Sequence, residues 1–104
     1  MTLYHPPRDQ IRLEDVLAAL GHPIRLQMVR TLRTQGECPC SAVHVDVTKS
    51  TATHHWRVLR EAGVVCQRPE GRTLLTSLRS DDLGTRFPGL MDVILSSEAA
   101  ELTA

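Results

Sequence analysis

The segment KSTATHHWRVLREAGVV, residues 49–65, decides how the rest of the chain is interpreted. Its apolar residues Ala52, Trp56 and Leu59 recur at helical spacing, and Gly63 follows them as a stop signal. The spacing predicts an amphipathic helix with Trp56 turned toward the core. The start and the opposite side of this helix then carry hydroxyls, imidazoles and cations: Lys49, Ser50, Thr51, Thr53, His54, His55 and Arg57.

Three helices are predicted before this segment. The first covers residues 12–20 and is ended by Gly21, and the second begins at Pro23, a residue favoured in a first helical turn. The third, over residues 41–47, is expected to be one or two turns long. The first helix has Leu13, Val16, Leu17 and Leu20 on one face, and the second has an outer face that we expect to be solvated, made of Arg25, Gln27, Arg30 and Arg33.

A hairpin and further helical sequence are predicted after the segment. The stretches VVCQR and TLLTSLR are rich in β-branched and apolar residues, and the turn sequence PEGR separates them. Ser80 is expected to cap a helix whose first turn holds Asp81 and Asp82. Pro88 is expected to open the last helix, whose apolar face would need a partner: Leu90, Met91, Ile94 and Leu95.

This order of elements predicts a mainly α fold with a small β-hairpin, namely a winged helix-turn-helix, as a single domain over residues 1–104. In such a fold the second helix of the pair enters the major groove of DNA. Lys49 and Ser50 would suit a phosphate at the helix start, while Thr53, His54 and Arg57 could reach base edges. Beside the hairpin turn, Arg68 and Arg72 would lie along the neighbouring backbone or its minor groove.

The formal net charge is zero, but the charges are unevenly distributed. Residues 49–79 carry six Lys and Arg against two Asp and Glu, whereas residues 80–104 carry one against five. The positive segment begins at the predicted recognition helix, so it could supply phosphate contacts, with the acidic tail lying away from DNA.

Length and composition exclude several classes of protein. No apolar run approaches the roughly 18 residues of a membrane span, and the start MTLYHPPRDQ lacks the pattern of a secretion signal, so we expect a cytoplasmic protein without membrane segments. No spacing of Ser, His and Asp and no glycine-rich turn indicates a nucleophile elbow or a phosphate loop. The chain is therefore predicted not to be an enzyme.

The stretches LGHPIRLQMVRTL, SAVHVDVTKSTATHHWRVLREAGVV and RPEGRTLLTSL resemble the arsenic-repressor (ArsR) family of bacterial winged-helix regulators over about residues 13–79. The resemblance implies a homodimer that binds a palindromic operator and responds to metal ions or other cytoplasmic signals. It also implies a dimer interface between the first and last helices, DNA contacts in the wing by Arg68 and Arg72, and DNA-facing positions in the recognition helix at Ser50, Thr51, Thr53, His54 and His55.

The three cysteines leave several interpretations open. Cys38 and Cys40 sit where metal sensors of the resembled family have a Cys-x-Cys pair, but the position of a third thiolate is occupied by Val43. Thiophilic metals want three or four thiolates, and Cys66 is expected to be distant, next to the wing. A metal site at Cys38 and Cys40, a pair sensitive to oxidation, and a pair without a sensing role all remain possible. Scattered histidines at His5, His22 and His44 are expected to be surface residues rather than ligands.

The function predicted from these features is sequence-specific DNA binding by a dimeric transcriptional repressor, released by a metal or another cytoplasmic signal. The predicted partners are double-stranded DNA carrying an inverted-repeat operator and a second copy of the chain, paired through Leu13, Val16, Leu17, Leu20, Leu90, Met91, Ile94 and Leu95. No cofactor is certain; a transition or thiophilic metal ion is a candidate effector. The alternative is an interaction module of the same shape with weak or lost DNA binding.

Overall fold

The computed structural model describes residues 3–103 of the chain, with the side chains of residues 3–96. Over these residues the chain forms five α-helices and a three-stranded antiparallel sheet. The helices are α1 (Leu13–Leu20), α2 (Pro23–Gln35), α3 (Lys49–Glu61), α4 (Ser80–Arg86) and α5 (Leu90–Thr103), and the strands are β1 (Cys38–Pro39), β2 (Val65–Glu70) and β3 (Thr73–Leu78). Mainly helical with a β-hairpin, the fold is the predicted one.

The sheet contains one strand that sequence periodicity did not indicate. Its order is β1-β3-β2, with β2 and β3 forming the predicted hairpin and β1 pairing Cys38 with Thr76 and Pro39 with Leu75. Two residues are too few to show the alternation by which a strand is recognised in a sequence. Through β1, the loop after α2 is joined to the base of the wing.

The prediction of a helix over residues 41–47 is wrong. The chain makes only a 3-10 turn at Cys40–Ala42, and Val43 already has extended dihedral angles (φ −91°, ψ 104°). Valines alternate with polar residues here: Val43 is buried and Val45 and Val47 are half-buried. β-Branched side chains in that alternation favour extended backbone over a helical turn. The predicted fourth helix is consequently α3.

The core lies where α1, α2 and α3 meet the hairpin. Trp56 and Leu59 of α3 are 5% and 0% exposed, which confirms that the apolar stripe of the opening segment faces inward. Three residues predicted to form a dimer interface also belong to this core, because Val16, Leu20 and Leu95 are at most 4% exposed within one chain. For them the interface prediction is wrong, because part of the apolar face of α1 and of α5 packs against the core of the same chain.

The segment before α1 is hydrogen-bonded to the hairpin and to the residue that follows it. The Gln67 backbone N–H donates to Nε2 of His5 at 3.0 Å, and the Arg79 guanidinium donates to the Pro6 carbonyl at 2.8 Å. Ile11, which is 1% exposed, lies against Gly63, where a Cβ atom would come within 2.7 Å of the Ile11 Cγ1 atom. Gly63 also has φ +89°, so two separate features of this position require glycine.

Two arginines of α2 depart from the expectation of a solvated face. Arg25 donates from Nε to the Ala19 carbonyl of α1 at 2.5 Å, and Arg30 donates from Nη2 to the Leu95 carbonyl of α5 at 2.5 Å. Both are half-buried, because a long side chain can lay its stem along the core while its charged head reaches a carbonyl of a neighbouring helix. Arg33 is exposed, as expected, and pairs with Asp92 of α5.

The entry to α4 differs from the prediction by one residue. Arg79 occupies the N-cap position without a side-chain cap bond, and Ser80 is the first residue of the helix. Asp82 nevertheless lies in the first turn, where its carboxylate accepts from Arg8 and Arg79 at 2.6 and 2.9 Å. Among the helices described, none combines the length and the apolar character needed to cross a bilayer.

Candidate DNA-binding surface

Thr48 sets the start of α3 and was missed by the sequence analysis. Its Oγ1 atom accepts the Thr51 backbone N–H at 3.2 Å and donates to Oγ1 of Thr51 at 2.9 Å. A hydroxyl residue directly before an amphipathic run is the signal that could have identified it as an N-cap. The cap satisfies one of the free N–H groups and leaves the others at the exposed helix start.

The predicted DNA-facing side chains of α3 form one exposed surface, with the exception of His55. Thr53 is exposed and donates its hydroxyl proton to the Lys49 carbonyl at 2.9 Å, which leaves the lone pairs of its oxygen to act as an acceptor. Arg57 pairs with Glu61 one turn later, with Nε and Oε2 3.1 Å apart. The exposed members, which we call the recognition surface, are Lys49, Ser50, Thr51, Thr53, His54 and Arg57.

His55 does not belong to the recognition surface, and its prediction as a DNA-facing residue is corrected. Its side chain is buried, with 6% exposure, against the start of α2. The His22 ring lies 4.5 Å from the His55 ring between centroids, and the Arg25 guanidinium is 3.1 Å from Nδ1 of His55. The reason is helical geometry: position 55 is next to Trp56 and four residues before Leu59, on the inward side of α3. Adjacent His54 is exposed.

The wing presents its two arginines in different states. Arg68 is exposed, but its guanidinium donates to both carboxylate oxygens of Glu37, at 2.9 and 3.2 Å, and to Glu70 at 2.8 Å. These hydrogen bonds raise the pKa of Arg68 and lower the pKa of Glu37. Arg72 follows Gly71 in the hairpin turn, where Gly71 has φ +61°, and it is exposed at the tip. Glu37 is a second residue that sequence reasoning missed, because its partner is 31 positions away.

Cys38 and Cys40 are free and half-buried where β1 passes into the 3-10 turn. Burial, and then the neighbouring Cys40, raise the pKa of the Cys38 thiol, which disfavours the thiolate that binds metals. Within the part of the chain that the structure describes, no group of three or more His, Cys, Asp or Glu side chains could hold a metal ion. A metal held by this pair would therefore need ligands from beyond these residues.

The scattered histidines have separate surroundings. His22 is half-buried and caps α2, because its Nδ1 accepts the Ile24 backbone N–H at 3.1 Å. His5 is half-buried and accepts the Gln67 backbone N–H, whereas His44 is exposed. His5 and His22 are thus only partly exposed, because each imidazole accepts a backbone N–H.

An exposed apolar surface joins α1 to α5. Leu13 and Leu17 of α1 are 42% and 45% exposed, and Val93 of α5 is 64% exposed. Leu90, Met91 and Ile94, the other predicted interface residues, are half-buried. A shallow groove between the two helices is lined by Leu13, Phe87, Pro88, Gly89, Leu90 and Val93.

Comparisons with known proteins agree with this arrangement. A family profile for a helix-turn-helix domain matches residues 20–68, which include α2, β1, α3 and the first part of β2. The HTH-type transcriptional regulator YceK of Bacillus subtilis, itself uncharacterized, is 38% identical over 89 residues, covering 83% of this chain and 88% of the relative. A transcriptional repressor SmtB homolog of Synechocystis is 27% identical over 84% of this chain and 67% of its own length.

The solved structures lead to the same family. The crystal structure of a possible transcriptional regulator for arsenical resistance superposes with a TM-score of 0.63 at 30% sequence identity. The match covers 84% of this chain and 95% of that one. Proteins of this kind regulate transcription and are not enzymes, in agreement with the expectation from sequence. By its sequence relatives, its fold and its exposed recognition helix, the chain belongs to the ArsR-type family of DNA-binding winged helix-turn-helix transcriptional regulators.

Proposed function

We propose that this protein is a dimeric, sequence-specific repressor in the cytoplasm that binds an inverted-repeat operator and releases it in response to a metal or another signal. The observation that carries the proposal is the recognition surface, where short hydroxyl side chains, His54 and two cations are exposed on one side of α3. Trp56 and Leu59 anchor the opposite side. A helix held in this way can enter the major groove without moving away from its own core.

The recognition surface has chemistry for both parts of DNA recognition. Free N–H groups at the start of α3, together with Lys49 and Ser50, suit a phosphate oxygen. Thr53 and His54 suit base edges, since an outward hydroxyl oxygen accepts from a base amino group and an imidazole can donate to N7 or O6 of guanine. Arg57 lies one turn further along, and it is held by Glu61 until a base or phosphate competes for it.

The wing is proposed to contact phosphate through Arg72 rather than Arg68. Replacing Arg72 by alanine is expected to weaken binding to all DNA sequences alike and to flatten the plot of log affinity against log salt by about 0.9, the value for one phosphate contact. Arg68→Gln is expected to leave that slope unchanged, because the Arg68 guanidinium is already paired with Glu37 and Glu70. The measurement is fluorescence anisotropy with operator and random duplexes over a range of salt.

Glu37→Gln is the control that separates the two roles of Arg68. If Arg68 only holds the wing against β1, removing the Glu37 charge weakens binding or leaves it as it was. If Arg68 contacts DNA, its release by Glu37→Gln strengthens binding and steepens the salt slope. An unchanged slope in Arg72→Ala would contradict the assignment of the phosphate contact to the wing tip.

The exposed apolar surface of α1 and α5 supports the proposal of a dimer. Monomeric proteins seldom expose contiguous apolar side chains without a partner for them, and here Leu13, Leu17 and Val93 come from two adjacent helices. A twofold axis through this surface would present two copies of α3 to successive major grooves, about 34–36 Å apart.

Selection of bound sequences from random DNA tests the whole proposal. The wild type is expected to enrich inverted repeats whose half-site centres are about 10 base pairs apart, and Leu17→Lys is expected to be monomeric and to enrich isolated half-sites. Sedimentation gives the mass of each variant. Tyr4→Ser is the matched control, since Tyr4 is also an exposed apolar residue, at 58%, but lies outside the α1 and α5 surface.

Repeating the selection with thiophilic and first-row metals tests the releasing signal. Failure of the wild type to enrich any sequence would refute the proposal.

A further inference from the structure

Three basic side chains meet where α3 packs on the start of α2. Arg25 joins two elements at this point, because its Nε donates to the Ala19 carbonyl at the end of α1 and its Nη1 lies 3.1 Å from Nδ1 of His55 in α3. The His22 ring packs against His55 at 4.5 Å between centroids. His55 is 6% exposed, so this contact is made largely without water.

The hydrogen bonds determine where protons can sit in this cluster. A guanidinium can only donate, so Nδ1 of His55 must accept from Arg25 and carries no proton. Nδ1 of His22 likewise accepts, from the Ile24 backbone N–H at 3.1 Å. A proton added to Nδ1 of His55 would break the bond to Arg25 and place two cations in contact in a buried site.

The charged groups around His55 do not compensate for such a proton. From α2 and the residue before it, Arg25 and His22 face His55, and from its own helix His54 lies 5.7 Å away between ring centroids. From α1 the cluster receives the Ala19 carbonyl, which Arg25 already occupies. Asp15 and Glu61 line the shallow surface groove beside Arg25, and neither has a hydrogen bond to His55.

We propose that Arg25 and His55 are positioning residues that hold α3 in its DNA-binding orientation only while His55 is uncharged, so that acidification weakens DNA binding. The inference rests on the proposed recognition of DNA by α3. In the structure, Arg25 joins the inward side of α3 to the end of α1. It bonds to His55, the residue next to exposed His54, and to the Ala19 carbonyl.

The direction of the pKa shift of His55 agrees with weaker binding in acid. Burial lowers its pKa, and the nearby His22, Arg25 and His54 lower it further. The folded state therefore binds a proton less readily than a displaced α3, in which His55 has its ordinary pKa near 6.5. The packed arrangement is fully favoured above about pH 6.5 and loses this advantage as the pH falls through the lowered pKa.

An exposed histidine elsewhere in the chain provides the control. His44 is exposed and belongs neither to the recognition surface nor to the cluster around His55. His44→Gln is therefore a matched control for His55→Gln, with the same change in chemistry at a position without a proposed role.

The test compares operator affinity of the full chain at pH 7.5 and pH 5.0, at constant salt, for wild type, His55→Gln and His44→Gln. We expect the affinity of the wild type and His44→Gln to fall by about tenfold, within the limit of tenfold per pH unit for a single proton. In His55→Gln a glutamine oxygen can still accept from Arg25 but does not titrate, so its affinity is expected to change by less than about twofold. Circular dichroism confirms that each protein is folded at both values of pH.

A second measurement keeps the proposal testable if His55→Gln fails to fold. Titration of the wild type followed by NMR of the imidazole C–H groups is expected to give His55 a midpoint below 6.5. Arg25→Met removes the hydrogen bond to His55, so it is expected both to raise that midpoint and to weaken operator binding already at pH 7.5. A role limited to packing would not change the midpoint and the operator affinity together.

The outcomes separate this inference from the proposed function. Equal acid weakening in wild type and folded His55→Gln, or a His55 midpoint at or above 6.5, would overturn the role of His55 and leave DNA recognition by α3 standing. Absence of specific binding by the wild type at pH 7.5 would overturn both.

Discussion

The double variant Thr53→Ala, His54→Ala is expected to lose sequence-specific binding and to retain only its general affinity for DNA. Both side chains are exposed on the recognition surface and neither belongs to the hydrophobic core, so the domain should remain folded. Each base contact is worth about 1–3 kcal/mol, and two together correspond to a loss of roughly 30-fold or more in affinity for the operator. Anisotropy titrations with operator and scrambled duplexes measure the difference.

Thr34→Ala is the matched control for this result. Thr34 is exposed on α2 and donates its hydroxyl to the Arg30 carbonyl at 3.1 Å, the same local bond that Thr53 makes to Lys49 on α3. Loss of a hydroxyl with this geometry is therefore common to both variants, and only Thr53 lies on the recognition surface. Operator affinity that is unchanged in the double variant would exclude α3 as the element that reads the sequence.

Gly63→Ala is expected to cause the largest loss of stability among single substitutions that add only a methyl group. A residue with a Cβ atom at φ +89° costs roughly 1–2 kcal/mol, and the added atom would lie 2.7 Å from Ile11 Cγ1. Overpacking of this kind costs a further 1–3 kcal/mol or so. We expect the midpoint of thermal unfolding to fall by at least about 10 °C.

Fluorescence of Trp56, the one tryptophan of the chain and a buried residue, reports the unfolding of this region. Gly89→Ala separates the two causes, because Gly89 also has a positive φ, +80°, but an added Cβ would have nothing within 4 Å. Combining Gly63→Ala with Ile11→Ala should be less damaging than the sum of the two, with a coupling of about 1 kcal/mol or more. Equal effects of the two glycine substitutions would show that the contact with Ile11 is unimportant.

The elements that could be predicted from the sequence are those whose signal repeats along the chain. The stripe of Ala52, Trp56 and Leu59 predicted α3, and the leucines of residues 13–20 predicted α1. The PEGR turn between two β-branched stretches predicted β2 and β3. Each of these patterns extends over several residues and follows a fixed period, so the local sequence is sufficient to find it.

Short elements were not recoverable in this way. β1 has two residues and exists because Cys38 and Pro39 pair with Thr76 and Leu75, which lie more than 30 positions away. Residues 41–47 were predicted to be helical from their apolar residues, but the chain makes only a 3-10 turn at Cys40–Ala42, and the alternating burial of Val43, Val45 and Val47 does not follow a helical period. For β1 a pairing with a distant segment, and not the local preference, decides the conformation.

The sequence by itself determined that α3 has an apolar side with Trp56 and a polar side with hydroxyls, the imidazole of His54 and cations, because the helical period assigns a side to each residue from its spacing alone. Only the tertiary structure decided that Arg25 bonds to His55 and that Arg68 is engaged by Glu37. A hydrogen bond or a buried surface depends on which distant side chain completes it, and residues 30 or 31 positions apart become neighbours only when the chain has folded.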